Sequence, residues 1–191
     1  FKIKGIYSHQ ETGDYLSYKR DQKVVKWTKE NNIPWKEYLQ FGVFRGSLKR
    51  DEWSKTHKIH FKKEIIKISK VFKTLPFKEE NLPSDDFFDF ENDQCYGRCK
   101  GGRKVALKRL DYFINKEIYS YSKNISSPNK SYFSCSRLSP YITMGCLSLK
   151  EILKKTKILK TKDIRMFKSR LFWHCHFIQK LETQPELEYK E

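Results

Sequence analysis

Between Ile164 and Leu181 the apolar residues Ile164, Phe167, Leu171, Ile178 and Leu181 recur every third or fourth position or at multiples of that step, which predicts a long helix with one buried stripe. The same segment carries a second stripe, Met166, Arg170, Trp173, Phe177 and Lys180, that mixes aromatic and cationic side chains. Such a face suits a cavity where a planar ring or a nucleobase stacks, and it suits packing against further protein as well. Upstream, Val105, Leu107, Leu110, Ile114 and Ile118 form a stripe with Lys104, Lys108, Arg109 and Lys116 facing outward. This predicts an amphipathic helix opened by Gly101-Gly102 and closing in the Tyr119–Ser127 stretch. Pro140 to Lys155 returns to helix, with Leu147, Leu149, Ile152 and Leu153 buried.

Nearer the start the pattern changes. Residues 3–8 read as a short strand, Asp14 to Asn31 as a helix with Leu16, Val24, Trp27 and the stem of Lys23 on one side, and Trp35 to Phe44 as a second extended segment. Asn31-Asn32-Ile33-Pro34 is the stop signal between them. Half of a βαβ unit results, and an open parallel sheet needs more strands than these. From Ser54 to Gln94 the chain reads as a connector, with a basic-apolar stretch at Phe61 to Phe72, prolines at 76 and 83, and the acidic run 85–91. The expected fold class is an α/β piece followed by a mainly α part, divided as 1–53, 54–95 and 96–191.

Forty basic against 23 acidic side chains give a net charge of +17, spread along the chain. A polyanion such as nucleic acid is the favoured partner, although a generally lysine-rich surface gives the same count. No apolar run approaches the roughly 20 residues that span a bilayer, and the start does not resemble a signal peptide, so a soluble, cytoplasmic protein is expected. The chain opens at Phe1 in what reads as the middle of an α/β domain and stops at Glu191 soon after a long helix, which reads as a fragment. Five irregularly spaced cysteines fit reduced thiols. Cys95, Cys99 and His174-Cys175-His176 offer zinc ligands by type, but neighbours in a helix point apart and no second close pair completes a tetrahedron, so no metal is expected.

The run Ser134-Cys135-Ser136-Arg137-Leu138-Ser139-Pro140, followed by Gly145-Cys146-Leu147-Ser148, gathers hydroxyls at 134, 136, 139 and 148 around one guanidinium. Hydroxyls, an arginine and a helix opened by Pro140 make a phosphate clamp; serine turns also serve as ordinary helix caps.

Ser136-Arg137-Leu138-Ser139-Pro140-Tyr141 with Gly145-Cys146-Leu147-Ser148 resembles the flavin-phosphate segment of the DNA photolyase/cryptochrome family. Gly101-Gly102 with Tyr119-Ser120-Tyr121 and Pro128, and Arg170-Leu171-Phe172-Trp173-His174-Cys175-His176-Phe177, fall in the family's order and spacing. Glu11-Thr12-Gly13-Asp14, Lys19-Arg20-Asp21 and Arg50-Asp51-Glu52-Trp53 are similar to the end of its antenna domain. The resemblance implies that 1–53 is the C-terminal part of a Rossmann-like antenna domain, 54–95 an interdomain linker and 96–191 the first part of an all-helical FAD-binding domain. It also implies a DNA photolyase, a carbon–carbon lyase that repairs UV-induced pyrimidine dimers by light-driven electron transfer from reduced FAD, with an antenna chromophore in the full-length protein and a monomeric state. The fragment alone is expected to be inactive. Tyr121, Cys135, Ser136, Arg137, Leu138, Ser139, Arg170, Trp173, His174 and Phe177 would bind FAD; Arg170, Trp173 and His174 would bind DNA, with Trp173 catalytic and beside the flipped dimer. Cys135 stands where the family commonly has threonine, Arg170 where it has an acid, and His174 where it has arginine. These departures favour a divergent subgroup and a lesion held in single-stranded DNA. A cryptochrome-type photoreceptor and a non-enzymatic basic nucleic-acid-binding module are the two alternatives.

Overall fold

The computed structural model describes residues 2–46, 49–67 and 97–189, together with Pro83 and Phe87. Most of these are helical, preceded by one small sheet. Strands β1 (Ile6–Gln10) and β2 (Trp35–Leu39) pair in parallel with Ile6 opposite Trp35 and Gln10 opposite Leu39, and helix α1 (Tyr15–Glu30) crosses between them. Asp14 caps α1 through the Ser17 amide, and Asn32 leaves it in the left-handed region at φ 52°, a conformation asparagine tolerates. The strands are displaced from the expected 3–8 and 35–44: β1 starts later and β2 stops at Leu39, before the buried Gly42-Val43.

Helix α1 does not bury the side expected of it. Leu16, Lys23 and Trp27 are exposed and Val24 is half-buried, while Asp21 and Thr28 are buried. A charge network accounts for this. Arg45 pairs with Asp21 and Glu37 and donates to the Glu11 carbonyl, while Arg20 pairs with Glu11 and Asp21. The buried Asp21 carboxylate therefore has two guanidinium partners, the condition under which burying a charge is tolerable.

Position 53, the expected end of the first unit, lies inside helix α2 (Arg50–Lys62), so the chain is helical where a connector was expected. Trp53 is fully buried, donates from Nε1 to the Gly42 carbonyl at 2.9 Å and packs on His57, Phe172 and His176. The chain is described on to Lys67, and the rest of the expected connector, apart from Pro83 and Phe87, lies outside the described residues.

Helices α3 (Arg103–Tyr112), α4 (Tyr121–Asn124), α5 (Pro128–Ser134), α6 (Ser139–Thr143), α7 (Leu149–Lys155) and α8 (Lys162–Thr183) surround a core centred on Leu110, Phe113, Ile118, Leu138, Leu147, Ile152, Ile164 and Phe167. The α3 stripe is rotated from its expected position: Ala106 is buried and Val105 exposed. A π-helical turn at Phe113–Glu117 and a 3-10 turn at Ile118–Ser120 carry α3 into α4. The helix expected across Pro140–Lys155 is two helices, because Gly145 at φ 67° ends the first and Ser148 with Glu151 forms a capping box for the second. The core stripe of α8 is buried at Ile164, Phe167 and Leu171, with Ile178 and Leu181 half-buried, and Cys175 and Gln179 join it. Gln179 exchanges two hydrogen bonds with the Phe44 backbone, at 2.8 and 3.0 Å, and so ties α8 to the segment after β2.

Candidate functional site

The turn from Ser134 to Ser139 lies between α5 and α6 and is held from behind by Arg109. This guanidinium donates to the carbonyls of Cys135 and Ser136, both at 2.9 Å, and pairs with Glu117. Arg109 was expected to face outward; it is half-buried, and its work is to fix the turn's carbonyls on the inner side. Residues 136–139 then donate no backbone hydrogen bond to protein among the described residues. Arg137 adopts φ 52°, with its guanidinium 4.3 Å from the Tyr132 ring and Nη2 3.3 Å from the Gly97 carbonyl. Arg98, Arg109, Arg137, Cys99, Tyr132 and Tyr141 are among the residues lining a recess of about 160 Å³ there.

The expected ring of four hydroxyls is not gathered at this turn. Ser134 is buried and donates to the Lys130 carbonyl at 2.6 Å. Ser148 is committed to its capping box, next to the carboxylate of Glu151, which would repel a phosphate. Ser136 and Ser139 cap nothing, since Leu138 is the N-cap of α6 and makes no side-chain cap. Leu138 itself is fully buried and anchors the turn in the core. What remains for an anion is the Arg137 side, with the amides of 136–139.

Tyr121 is 5% exposed, packed edge-on against Phe113 and Phe167. Burial pushes its phenol up to about 12, the Cys135 thiol adding in the same direction and Arg170, one turn along α8 from the Phe167 ring that packs on Tyr121, opposing. Burial also raises the Cys135 thiol, followed by the charge of Glu117, so it stays protonated and is no nucleophile.

On α8, Arg170 lays its guanidinium 4.0 Å from the centre of the Trp173 ring, and its buried Nε has no hydrogen-bond partner. Trp173 is 42% exposed and meets Phe177, 59% exposed, edge-on at 6.0 Å. The second stripe thus presents two aromatic faces outward, with Lys180 exposed one turn beyond Phe177. His174 is turned away from it. Its ring packs on Phe41 at 4.9 Å and burial lowers its pKa, so it is neutral and belongs to the contact with the segment after β2. Cys175 is fully buried and burial pushes its thiol up to about 11. Cys175 Sγ lies 3.9 Å from His174 Nδ1, and among the described residues no three His, Cys, Asp or Glu side chains gather as a metal site; Cys95 lies outside those residues.

Sequence reasoning missed Arg109 as the holder of the turn, Tyr132 as the platform for Arg137, and His57. The first two depend on contacts across α3 and α5 that no local period announces. The π turn after α3 does bring Glu117 back onto the Arg109 side, and such turns accompany functional sites. His57 is buried with Nε2 unpartnered against Phe61 and Phe172, and burial drops its pKa to about 4.

No family model matches the chain, and no curated protein matches it.

Proposed function

We propose that this chain is part of a photolyase-like flavoprotein that repairs UV-induced pyrimidine dimers in DNA by light-driven electron transfer from reduced FAD. On this reading the sheet and α1 end a Rossmann-like antenna domain, residues 96–191 begin a helical FAD-binding domain, and the full-length protein is a cytoplasmic monomer with an antenna chromophore. The support is the order and spacing of the sequence motifs, joined by one observation. Arg170 carries an orphaned buried Nε beside Tyr121 while its guanidinium lies on Trp173. A buried donor without an acceptor costs about 1–3 kcal/mol, and a ligand acceptor relieves that cost.

The donor set fits a dinucleotide. The amides of 136–139 and the Arg137 guanidinium suit a diphosphate, and Arg170 suits a ring carbonyl or ribose oxygen. Tyr121, packed against Phe113 and Phe167 and 5% exposed, offers such a ligand little free surface. When bound, FAD would absorb the light and, in its reduced form, donate the electron. The chain's own residues bind and orient: Arg137 neutralises phosphate, Arg109 keeps the turn's carbonyls from facing it, and Trp173 with Phe177 receives an unstacked base.

The test is FAD titration of the full-length protein and its Arg137→Ala variant. Loss of one charge-assisted contact, roughly 1.5–3 kcal/mol, should weaken binding by one to two orders of magnitude. Equal affinity with an unchanged thermal midpoint would remove the clamp from the account.

A further inference from the structure

Helix α2 ends, and α7 runs, along opposite sides of a groove of about 680 Å³. Its lining includes the six lysines Lys62, Lys63, Lys67, Lys150, Lys154 and Lys157 and a single acid, Glu64. The six make no ion pair among the described residues, whereas on the far side of α7 Lys155 pairs with Asp111. Helix C-termini account for part of this, since the last turns of α2 and α7 each favour a cation or two. They do not account for six lining one groove. The crowding has a cost: burial lowers the pKa of Lys150 and Lys63 lowers it further, and the same two cations bear on His60.

Part of the groove's lining is apolar. Phe61, Ile65 and Leu153 share the lining with the lysines, and Phe61 with Leu153 continues into an adjoining cleft of about 320 Å³ whose lining includes Leu149, Leu171 and Phe172 and adds Lys58 and Lys168. Cations unpaired among the described residues, contributed by the end of α2 and by α7 around a partly apolar lining with one aromatic ring, match a strand whose phosphates lie outside and whose bases are free to turn inward. A duplex offers the phosphates without the bases.

We infer that the α2–α7 groove is a binding tract for undamaged single-stranded nucleic acid, separate from the Trp173 face. Its lysines contact successive phosphates, and Phe61 takes the face of a base. Nothing in this depends on flavin or light, so it stands or falls apart from the photolyase reading.

The experiment is fluorescence anisotropy of an end-labelled thymidine 15-mer, in the dark, across a salt series. The protein is compared with a Lys62→Ala/Lys154→Ala variant and with a Lys104→Ala/Lys108→Ala control on the exposed face of α3. All four side chains are exposed, so thermal midpoints should stay together. The groove variant should lose about tenfold in affinity at low salt, and its log–log salt slope should become shallower by about 1.4, the loss of two phosphate contacts on a single strand. Equal losses in the two variants would show a general charge effect and overturn the tract. Tighter binding of the same sequence as a duplex would overturn the role of the apolar lining.

Discussion

At Gly42 a methyl group would collide with the rings of both His57 and Phe61. The missing side chain is what lets α2 approach the segment after β2, and the Gly42 carbonyl accepts the Trp53 indole in return. Gly42→Ala should cost about 1–3 kcal/mol by overpacking, read as a lower midpoint in urea with the slope unchanged. His57, held in the same contact, gives the protein an acid-sensitive stability. Its pKa falls from 6.5 to about 4 on folding because burial, then His60 and Lys58, disfavour the charged ring. Between those values the unfolded chain binds the proton and the folded chain does not, so stability is complete above pH 6.5 and is lost as pH falls toward 4. His60 and His174, also lowered by burial, act in the same direction. The thermal midpoint should drop across that window, and His57→Leu should remove the largest single part, on the order of 2 kcal/mol. A midpoint equally steep in wild type and variant would place the effect elsewhere.

One face of helix α8 fills the core while the other presents Trp173 and Phe177. Trp173→Ala should reduce affinity for lesion-bearing DNA by about 1–3 kcal/mol and leave the thermal midpoint nearly unchanged, as befits an exposed stacking ring. A variant that unfolds while binding DNA normally would make Trp173 a packing residue. Trp53→Ala should behave in the opposite way, costing about 3–5 kcal/mol of stability, since it empties the contact between α2 and α8. These two tryptophans also show what was legible in the sequence. The 3–4 repeat of α8 is long, and Thr161 caps its start, so both faces could be read directly. Helix α2 buries only Trp53 and His57 among charged neighbours, and two buried positions one turn apart do not make a period. The α1 face was misread for a related reason: its buried members, Asp21 and Thr28, are polar and owe their burial to Arg45, 24 residues away from Asp21, and to the sheet. At the site, the position of the turn was legible and its donors were not. Whether a serine faces a ligand, a carbonyl or a capping partner is decided by Arg109, Lys130 and Glu151 in three dimensions.

For the whole molecule the net charge of +17 acquires a location. Acids neutralise the cations where the sheet meets α1 and where α3 meets α7, whereas among the described residues the six lysines of the α2–α7 groove and Arg137 make no ion pair. A recess suited to a diphosphate, an orphaned arginine beside a buried tyrosine, and an outward aromatic stripe are the parts that a light-driven DNA repair flavoprotein would use. The most direct measurement is made on the full-length protein with reduced FAD and a single-stranded oligonucleotide bearing one thymine dimer, illuminated with blue light or kept dark. The account predicts that the two thymines are restored under illumination alone. Loss of that restoration in Trp173→Ala, with flavin content retained, is expected as well. A protein that takes up no flavin, or a yellow one that leaves the dimer intact in the light, would contradict it.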